Sequence, residues 1–320
     1  AERVEIKMTE KTLLWAREVL ETNGQLARAA LSGHEEDSWV GATIDSRADC
    51  TRRLFFALTG EKTDGHQFVP DAVAGGSCAV VIDRDDQCGN LDNAGTPYFL
   101  VKNSLEALQI LAKAYRDTLD IRVVAVTGSM GKTTTKEYIR MILKKKYRVH
   151  SNPGNFNNHI GVPITLLRLD DSHELAVLEM GMNSPGEIRR LTEIAPPDCA
   201  VITNIQPVHL EFFNSLDEIA LAKKEILDGL RPGGTAVLNG DDARVRKIAE
   251  GLQGEALYFG SFPGCRIRIS EVTGRGLEGM DATLNYGGEA TNLWLPFLYR
   301  SYLHNFLAAA AVGFVYGMPL

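Results

Sequence analysis

The sequence predicts an α/β protein of two units, the larger a mostly parallel sheet with helices on both faces. Three observations carry that expectation. From about residue 121 the chain alternates short apolar, β-branched runs with helical segments, the texture of repeated strand–helix–strand crossovers. The first of these runs, Val123-Val124-Ala125-Val126-Thr127, enters a turn with two glycines and leaves it as Lys132-Thr133-Thr134-Thr135. Residues 1–115 instead carry shorter apolar pieces between turn-rich stretches, which marks a smaller α/β unit.

In the first unit, residues 11–20 read as a helix. Strand-like pieces follow at 43–44, 54–58, 79–82 and 98–101, with a short helix over 71–74 stopped by Gly75-Gly76. Residues 105–119 read as a helix leading into the second unit, which takes up 116–320. There the spacing predicts strands at 122–127, 147–150, 174–180, 199–203 and 235–239. Helices are expected at 132–145, 160–168, 185–194, 215–230 and 241–251. After residue 255, Arg266-Ile267-Arg268-Ile269, Ala282-Thr283-Leu284-Asn285-Tyr286 and Ala290 to Leu295 alternate as a small antiparallel β extension does. A last helix over 302–315 is stopped by Gly317-Met318-Pro319.

The composition is that of a globular protein, 44% hydrophobic over 320 residues. A net charge of −7 argues against a nucleic-acid partner. Five scattered cysteines, Cys50, Cys78, Cys88, Cys199 and Cys265, fit neither a disulfide framework nor a zinc site. They fit reduced thiols in a cytoplasmic protein. No apolar run approaches a membrane span, and Ala1-Glu2-Arg3-Val4-Glu5 lacks the apolar core of a signal peptide. A cytoplasmic monomer is expected.

The turn Gly128-Ser129-Met130-Gly131 before Lys132 has the order of a phosphate cradle: strand, glycine-bearing loop, helix N-terminus. Lys132 adds a full charge, and the Thr133 hydroxyl suits a magnesium ion bridging phosphates. The loop is a shortened variant, since Val126 stands where the general pattern has glycine. Ligands of open parallel sheets sit at the carboxyl ends of the strands. There the chain offers Glu179 after one strand and Asn204, with His209 a short loop away, after another. Such oxygen-rich groups with one imidazole suit magnesium. Opposite a phosphate loop, Glu179 reads as a metal ligand before it reads as a surface acid. Lys223 and Lys224 point to different sides of their helix, and the sequence does not choose between them. The cluster Asn152 to Asn158 is equally a turn with a helix cap or a set of amides that orients a polar substrate.

At these residues the chain resembles the Mur ligase family, ATP-dependent ligases that add amino acids to the peptidoglycan precursor. The resemblance rests on the phosphate loop, on Gly154-Asn155-Phe156-Asn157-Asn158-His159-Ile160-Gly161-Val162-Pro163, on Glu179-Met180-Gly181-Met182-Asn183-Ser184-Pro185-Gly186-Glu187-Ile188, and on Ala222-Lys223-Lys224-Glu225-Ile226. Together these look like the branch that joins D-alanyl-D-alanine to UDP-N-acetylmuramoyl-tripeptide. Asp45-Ser46-Arg47, Phe55-Phe56-Ala57-Leu58-Thr59-Gly60 and Asp64-Gly65-His66 are similar to that branch's UDP-sugar-binding domain.

The resemblance implies roles. Gly128, Ser129, Met130, Gly131, Lys132, Thr133, Thr134 and Asn305 would bind ATP. Thr133 and Glu179 would hold one Mg2+. His209 would hold a second with Lys223, the latter carrying a carbamate. Lys132, His209 and Lys223 would be the catalytic set. Ser46, Arg47, Asn155 and Asn158 would bind the precursor. The implied chemistry is transfer of a phosphoryl group to the tripeptide carboxylate, then attack by the amine of D-alanyl-D-alanine on the acyl phosphate. The sequence departs from the family pattern at Met130, at Gln206 before Pro207, and at Ala308, where a second asparagine is common. Members of the family continue into a C-terminal domain, so the resemblance implies that this chain is a fragment. A fragment that binds nucleotide or precursor without turnover, or a folylpolyglutamate-type ligase, are the competing readings. Asp45-Ser46-Arg47 counts against the second.

Overall fold

A computed structural model of the protein describes residues 11–208 and 212–319. Ala1–Glu5 and His209 lie outside the described residues. The chain divides into two compact units. One runs up to Asp120 and includes Pro163–Ser172; the other comprises Ile121–Val162 and the residues from His173 onward.

In the first unit the elements are β1 (Lys11–Thr12), α1 (Leu13–Thr22), β2 (Leu26–Ala30), β3 (Ser38–Trp39), β4 (Ala42–Thr43), β5 (Leu54–Phe56), α2 (Val69–Ala74), β6 (Ala79–Ile82), α3 (Cys88–Ala94), β7 (Tyr98–Val101) and α4 (Ser104–Asp117). A five-stranded sheet has the order β2-β7-β6-β5-β4, parallel except for β2, which pairs antiparallel with β7 at the edge. β2 is the strand the sequence hides. Leu26-Ala27-Arg28-Ala29-Ala30 has no β-branched residue and reads as helix by propensity, yet pairing with β7 overrides that preference. α4 belongs wholly to this unit. Its Tyr115 ring packs against Trp15 of α1 and Trp39 of β3, with centroids 6.5 and 6.0 Å away. The division therefore falls beyond the helix, later than residue 115.

The second unit contains β8 (Arg122–Thr127), α5 (Lys132–Leu143), β9 (Val149–Ser151), β10 (Leu175–Glu179), α7 (Glu187–Ile194), β11 (Cys199–Ile202), α8 (Leu216–Asp228), β12 (Thr235–Asn239), α9 (Ala243–Ile248), β13 (Glu255–Phe259), β14 (Ile267–Gly274), β15 (Met280–Tyr286), β16 (Glu289–Leu295) and α10 (Ser301–Val315); α6 (Gly161–Leu166) runs across the division. One nine-stranded sheet has the order β16-β15-β14-β13-β12-β11-β8-β10-β9. β8 to β14 run parallel, and β15 and β16 turn back antiparallel. The small β extension thus continues the main sheet through β13, a strand the sequence reading left out.

The core explains why α10 has almost no polar face. Ala308, Ala309, Ala310, Ala311 and Val312 are buried against Val126, Val201, Val237, Phe259 and the α5 residues Ile139 and Leu143. Small side chains let α10 lie close to the sheet and to α5 together. β8 is flanked by β10 on one side and β11 on the other. The chain leaves β8 to build β9 and β10, then crosses to β11, which makes the carboxyl end of β8 a topological switch point.

In the first unit Gly65 opens a tight 3-10 turn, Gly65–Phe68, capped by Asp64. A Cβ on Gly65 would lie 2.6 Å from the Leu58 backbone nitrogen and 2.8 Å from its oxygen. Backbone cannot yield there, so Gly65→Ala is expected to lower stability by about 1–3 kcal/mol. Gly89, inside α3 with open space around it, is the control. Gly89→Ala is expected to raise stability by about 0.5–1 kcal/mol. Urea unfolding curves of the two variants check both signs.

Candidate active site

The phosphate loop is tied to the strand beside it. Ser129 N–H donates to the Asn204 carbonyl (2.9 Å), and Met130 N–H donates to Asn204 Oδ1 (3.0 Å). In return, Thr203 Oγ1 and Asn204 Nδ2 donate to the Met130 carbonyl (2.7 and 3.1 Å). Ser129 Oγ donates to the Gln206 carbonyl (2.9 Å) and accepts from its N–H (2.8 Å). Both loop glycines are required sterically. Gly128 (φ 148°) has Thr203 Oγ1 where its Cβ would sit, and Gly131 (φ 79°) has Asn305 Oδ1 there. Met130 needs no small side chain, because its own projects outward and only its backbone is used.

Gly131 caps the N-terminus of α5. Lys132 Nζ donates to the Gly128 and Ser129 carbonyls (2.8 and 3.2 Å), so the ammonium lies over its own loop. Burial pushes its pKa down, against an upward pull from Glu179. Thr133, one residue on, donates from Oγ1 to Glu179 Oε2 (2.8 Å). Thr134 follows in the same turn. Asn305, on α10, accepts from Thr135 Oγ1 (3.3 Å). Ala308, one turn along α10, is fully buried in the core.

Glu179 ends β10 and is 2% exposed. Its second oxygen, Oε1, accepts from Asn157 Nδ2 (2.7 Å). The asparagine cluster divides its labour. Asn152 exchanges hydrogen bonds with the Glu179 backbone, accepting from its N–H (2.9 Å) and donating to its carbonyl (3.0 Å). Asn158 caps α6, its Oδ1 accepting from Gly161 N–H (2.8 Å). Asn155 is exposed, with its backbone carbonyl accepting from Asn157 N–H (2.7 Å). The turn-and-cap reading thus has its members in Asn152 and Asn158, and Asn157 braces Glu179. Asn157, the residue that touches Glu179, was not singled out in the sequence. Its signal was the run of amides following β9.

The structure separates the two neighbouring lysines of α8. Lys223 is buried, and burial first, with repulsion from Lys132 second, pushes its pKa down to about 7. Lys224 lies on the outer side and pairs with Asp228. Glu225, next in line, accepts from Gly186 N–H (2.7 Å) and Arg189 N–H (2.9 Å), a carboxylate at the N-terminus of α7. The fourth expected metal ligand, His209, lies outside the described residues.

In the first unit, Ser46 and Arg47 line a cavity of about 530 Å³ with Ile44, Asp45, Thr63, Phe68 and Asp71. Arg47 reaches back to Asp45 with two hydrogen bonds (2.8 and 2.9 Å), and this lowers the Asp45 pKa. In the same unit, buried His66 bonds Asp64 through Nδ1 (2.7 Å) and accepts from Asp83 N–H through Nε2 (3.3 Å).

The Mur ligase middle domain matches residues 126–313, and the Mur ligase family catalytic domain matches residues 40–116. The chain belongs to the Mur ligase family. The UDP-N-acetylmuramoyl-tripeptide–D-alanyl-D-alanine ligase of Bacillus subtilis is 38% identical to this family member over 296 residues, 92% of this chain and 63% of the relative. The Haemophilus influenzae ligase of the same name is 36% identical over 92% of this chain and 64% of its own length. Among solved structures, MurF from Acinetobacter baumannii superposes with a TM-score of 0.86 at 29% identity, covering 98% of this chain and 66% of that one. The Thermotoga maritima MurF ligase in complex with ADP gives 0.77 at 30% identity, covering 88% and 64%. The chain thus spans less than two thirds of the length of these curated relatives. No helix among the described residues is long and apolar enough to cross a membrane.

The low pKa of Lys223 makes stability depend on pH. Below about 7 the lysine is charged in both the folded and unfolded chains, and the folded chain bears a buried cation. Between about 7 and 10.5 unfolding takes up a proton, so stability rises with pH across that window. The slope is at most about 1.4 kcal/mol per pH unit. Lys223→Met removes the group and is expected to unfold at higher urea than the parent at pH 6.5, with the difference shrinking towards pH 10. Urea curves at several pH values measure it.

Proposed function

We propose that this chain carries the nucleotide-binding and precursor-binding parts of an ATP-dependent ligase that joins D-alanyl-D-alanine to UDP-N-acetylmuramoyl-tripeptide. The observation that carries the reading is the convergence of Lys132, Thr133 and Glu179 at the switch point beside β8. It stands in a chain whose relatives of that activity match it over most of its length.

On this reading the α5 N-terminus and the loop amides not engaged by Asn204 hold the phosphates of ATP. Lys132, released from the Gly128 and Ser129 carbonyls, turns its ammonium to the γ-phosphoryl oxygens. A cavity of about 360 Å³, lined by Asn204, Gln206, Asn239, Asp241 and Arg244, shares Asn204 and Gln206 with the loop and offers room for the nucleoside. The donor set fits magnesium: Thr133 Oγ1 and Glu179 Oε2 are hard oxygens 2.8 Å apart. Lys223, as a carbamate, and His209 would hold a second ion. When bound, the two ions offset the negative charge that gathers on the phosphoryl oxygens.

Lys223 suits the carbamate on physical grounds. With its pKa near 7, a large share of the amine is unprotonated at neutral pH. That is the form that attacks carbon dioxide, losing a proton as the N–C bond forms. The product replaces a cation repelled by Lys132 with an anion attracted to it. Ser46 and Arg47 would hold the UDP end of the precursor at the first-unit cavity. The Asp45 carboxylate now occupying Arg47 would then exchange its place with a diphosphate.

Calorimetry of the chain with UDP-N-acetylmuramoyl-tripeptide, and separately with AMP-PNP and Mg2+, is expected to give one saturable event each; absence of both overturns the reading. In phosphate-release assays of an active enzyme carrying this core, Lys132→Ala is expected to lower turnover by about 10²–10³-fold or more. Lys223→Ala is expected to be far more damaging than Lys224→Ala, and comparable losses from the two refute the carbamate assignment. A ¹³C carbamate resonance after incubation with ¹³C-bicarbonate, present in the parent and absent in Lys223→Ala, tests it independently.

A further inference from the structure

We propose that Asn157 is a positioning residue that occupies one oxygen of Glu179, leaves only the oxygen bonded to Thr133 to an ion, and thereby sets the preference of this site for Mg2+ over Ca2+. The inference rests on the reading of Thr133 and Glu179 as divalent-ion ligands. Glu179 Oε1 is engaged by Asn157 Nδ2 at 2.7 Å, while Oε2 faces the Thr133 hydroxyl at 2.8 Å. A carboxylate so held can give an ion Oε2 alone. Mg2+ is content with that: it takes single oxygens at about 2.0–2.1 Å and keeps its waters. Ca2+ is larger, binds at about 2.3–2.6 Å, and gains from carboxylates that offer both oxygens. Occupying Oε1 withholds that gain.

The amide is held firmly enough to do this. The Asn157 carbonyl accepts from Gly181 N–H (2.8 Å), and a Cβ on Gly181 would lie 2.9 Å from the Asn157 side chain. The loop that carries Asn157 is anchored from below by Lys136. This lysine is fully buried on α5 and donates to the Asn152 and Gly154 carbonyls (2.7 and 3.3 Å). Asn152 in turn bonds the Glu179 backbone on both sides and donates to the Phe156 carbonyl (2.8 Å). Carboxylate, amide and lysine therefore share one frame, and α5 supplies both Thr133 and the anchor of the residue opposite it.

The test measures AMP-PNP binding by calorimetry in Mg2+ and in Ca2+, for the parent, Asn157→Ala and Asn157→Ser. Circular dichroism and thermal melts report folding. Removing such an outer partner of a ligand typically weakens metal affinity about 10–100-fold. The expected result is a loss of that size in Mg2+ with a change below about threefold, or a gain, in Ca2+. Lys136→Met is expected to move the Mg2+/Ca2+ ratio the same way by a smaller factor. Equal losses in both ions, in whichever asparagine variant folds, overturn the proposal, since a merely structural amide would produce that. Glu179→Gln separates the two levels. If it leaves the divalent dependence of AMP-PNP binding intact, the ligand reading itself fails; if it removes that dependence while Asn157→Ala leaves the ion ratio unchanged, only the selectivity inference fails.

Discussion

The site depends on the clamp between the phosphate loop and the end of β11. Thr203 and Asn204 receive and return hydrogen bonds along Ser129 and Met130, so the loop backbone is fixed from the strand beside it rather than by its own turn. The closeness of that contact is what demands glycine at 128, since Thr203 Oγ1 occupies the space of a Cβ. Fixing the loop fixes the start of α5, and with it the directions of Lys132 and Thr133. A cradle held in this way loses little entropy when a phosphate enters it, because its backbone is already fixed by Asn204 and Thr203.

Around that clamp the fold buries two lysines, Lys136 and Lys223, and half-buries a third, Lys132, each under different terms. Lys136 has carbonyl acceptors and serves as an anchor. Lys132 lies over carbonyls of the loop it follows and can be recruited from them. Lys223 has neither hydrogen-bond acceptor nor ion-pair partner among the described residues, and Lys132 repels it. A buried cation without compensation costs several kcal/mol and is relieved by losing its proton. The molecule therefore concentrates its least favourable electrostatics beside its phosphate loop. Perturbed groups of this kind gather where chemistry is done.

Much of this was legible in the sequence, and the limits have physical causes. The parallel strands at 122–127, 199–202 and 235–239 are β-branched runs that no helix competes for, and the sheet order follows from their crossovers. β2 was invisible because its alanines owe their conformation to β7. β13 is hard to read because Glu255-Ala256-Leu257-Tyr258-Phe259 lacks β-branched residues and the three strand-like segments after it are stronger signals. At the site, Lys132, Thr133 and Glu179 announced themselves by position in a motif. Asn157 did not, since any of four amides fits the same loop and only the turn geometry decides which one meets Glu179.

α8 shows the same limit within three consecutive residues. Successive side chains on a helix turn by about 100°, so Lys223, Lys224 and Glu225 cannot share a partner. The inward direction fell to Lys223, the solvent side to Lys224, and the N-terminus of α7 to Glu225. A sequence motif records that all three matter without recording which does what. The assignment needs the packing of α8 against α7 on one side and against β8 and β11 on the other. Glu225 settles it, because a carboxylate tied to two backbone amides of α7 fixes the rotation of α8 about its axis. With that rotation fixed, Lys223 is buried, near enough to Lys132 to be repelled by it.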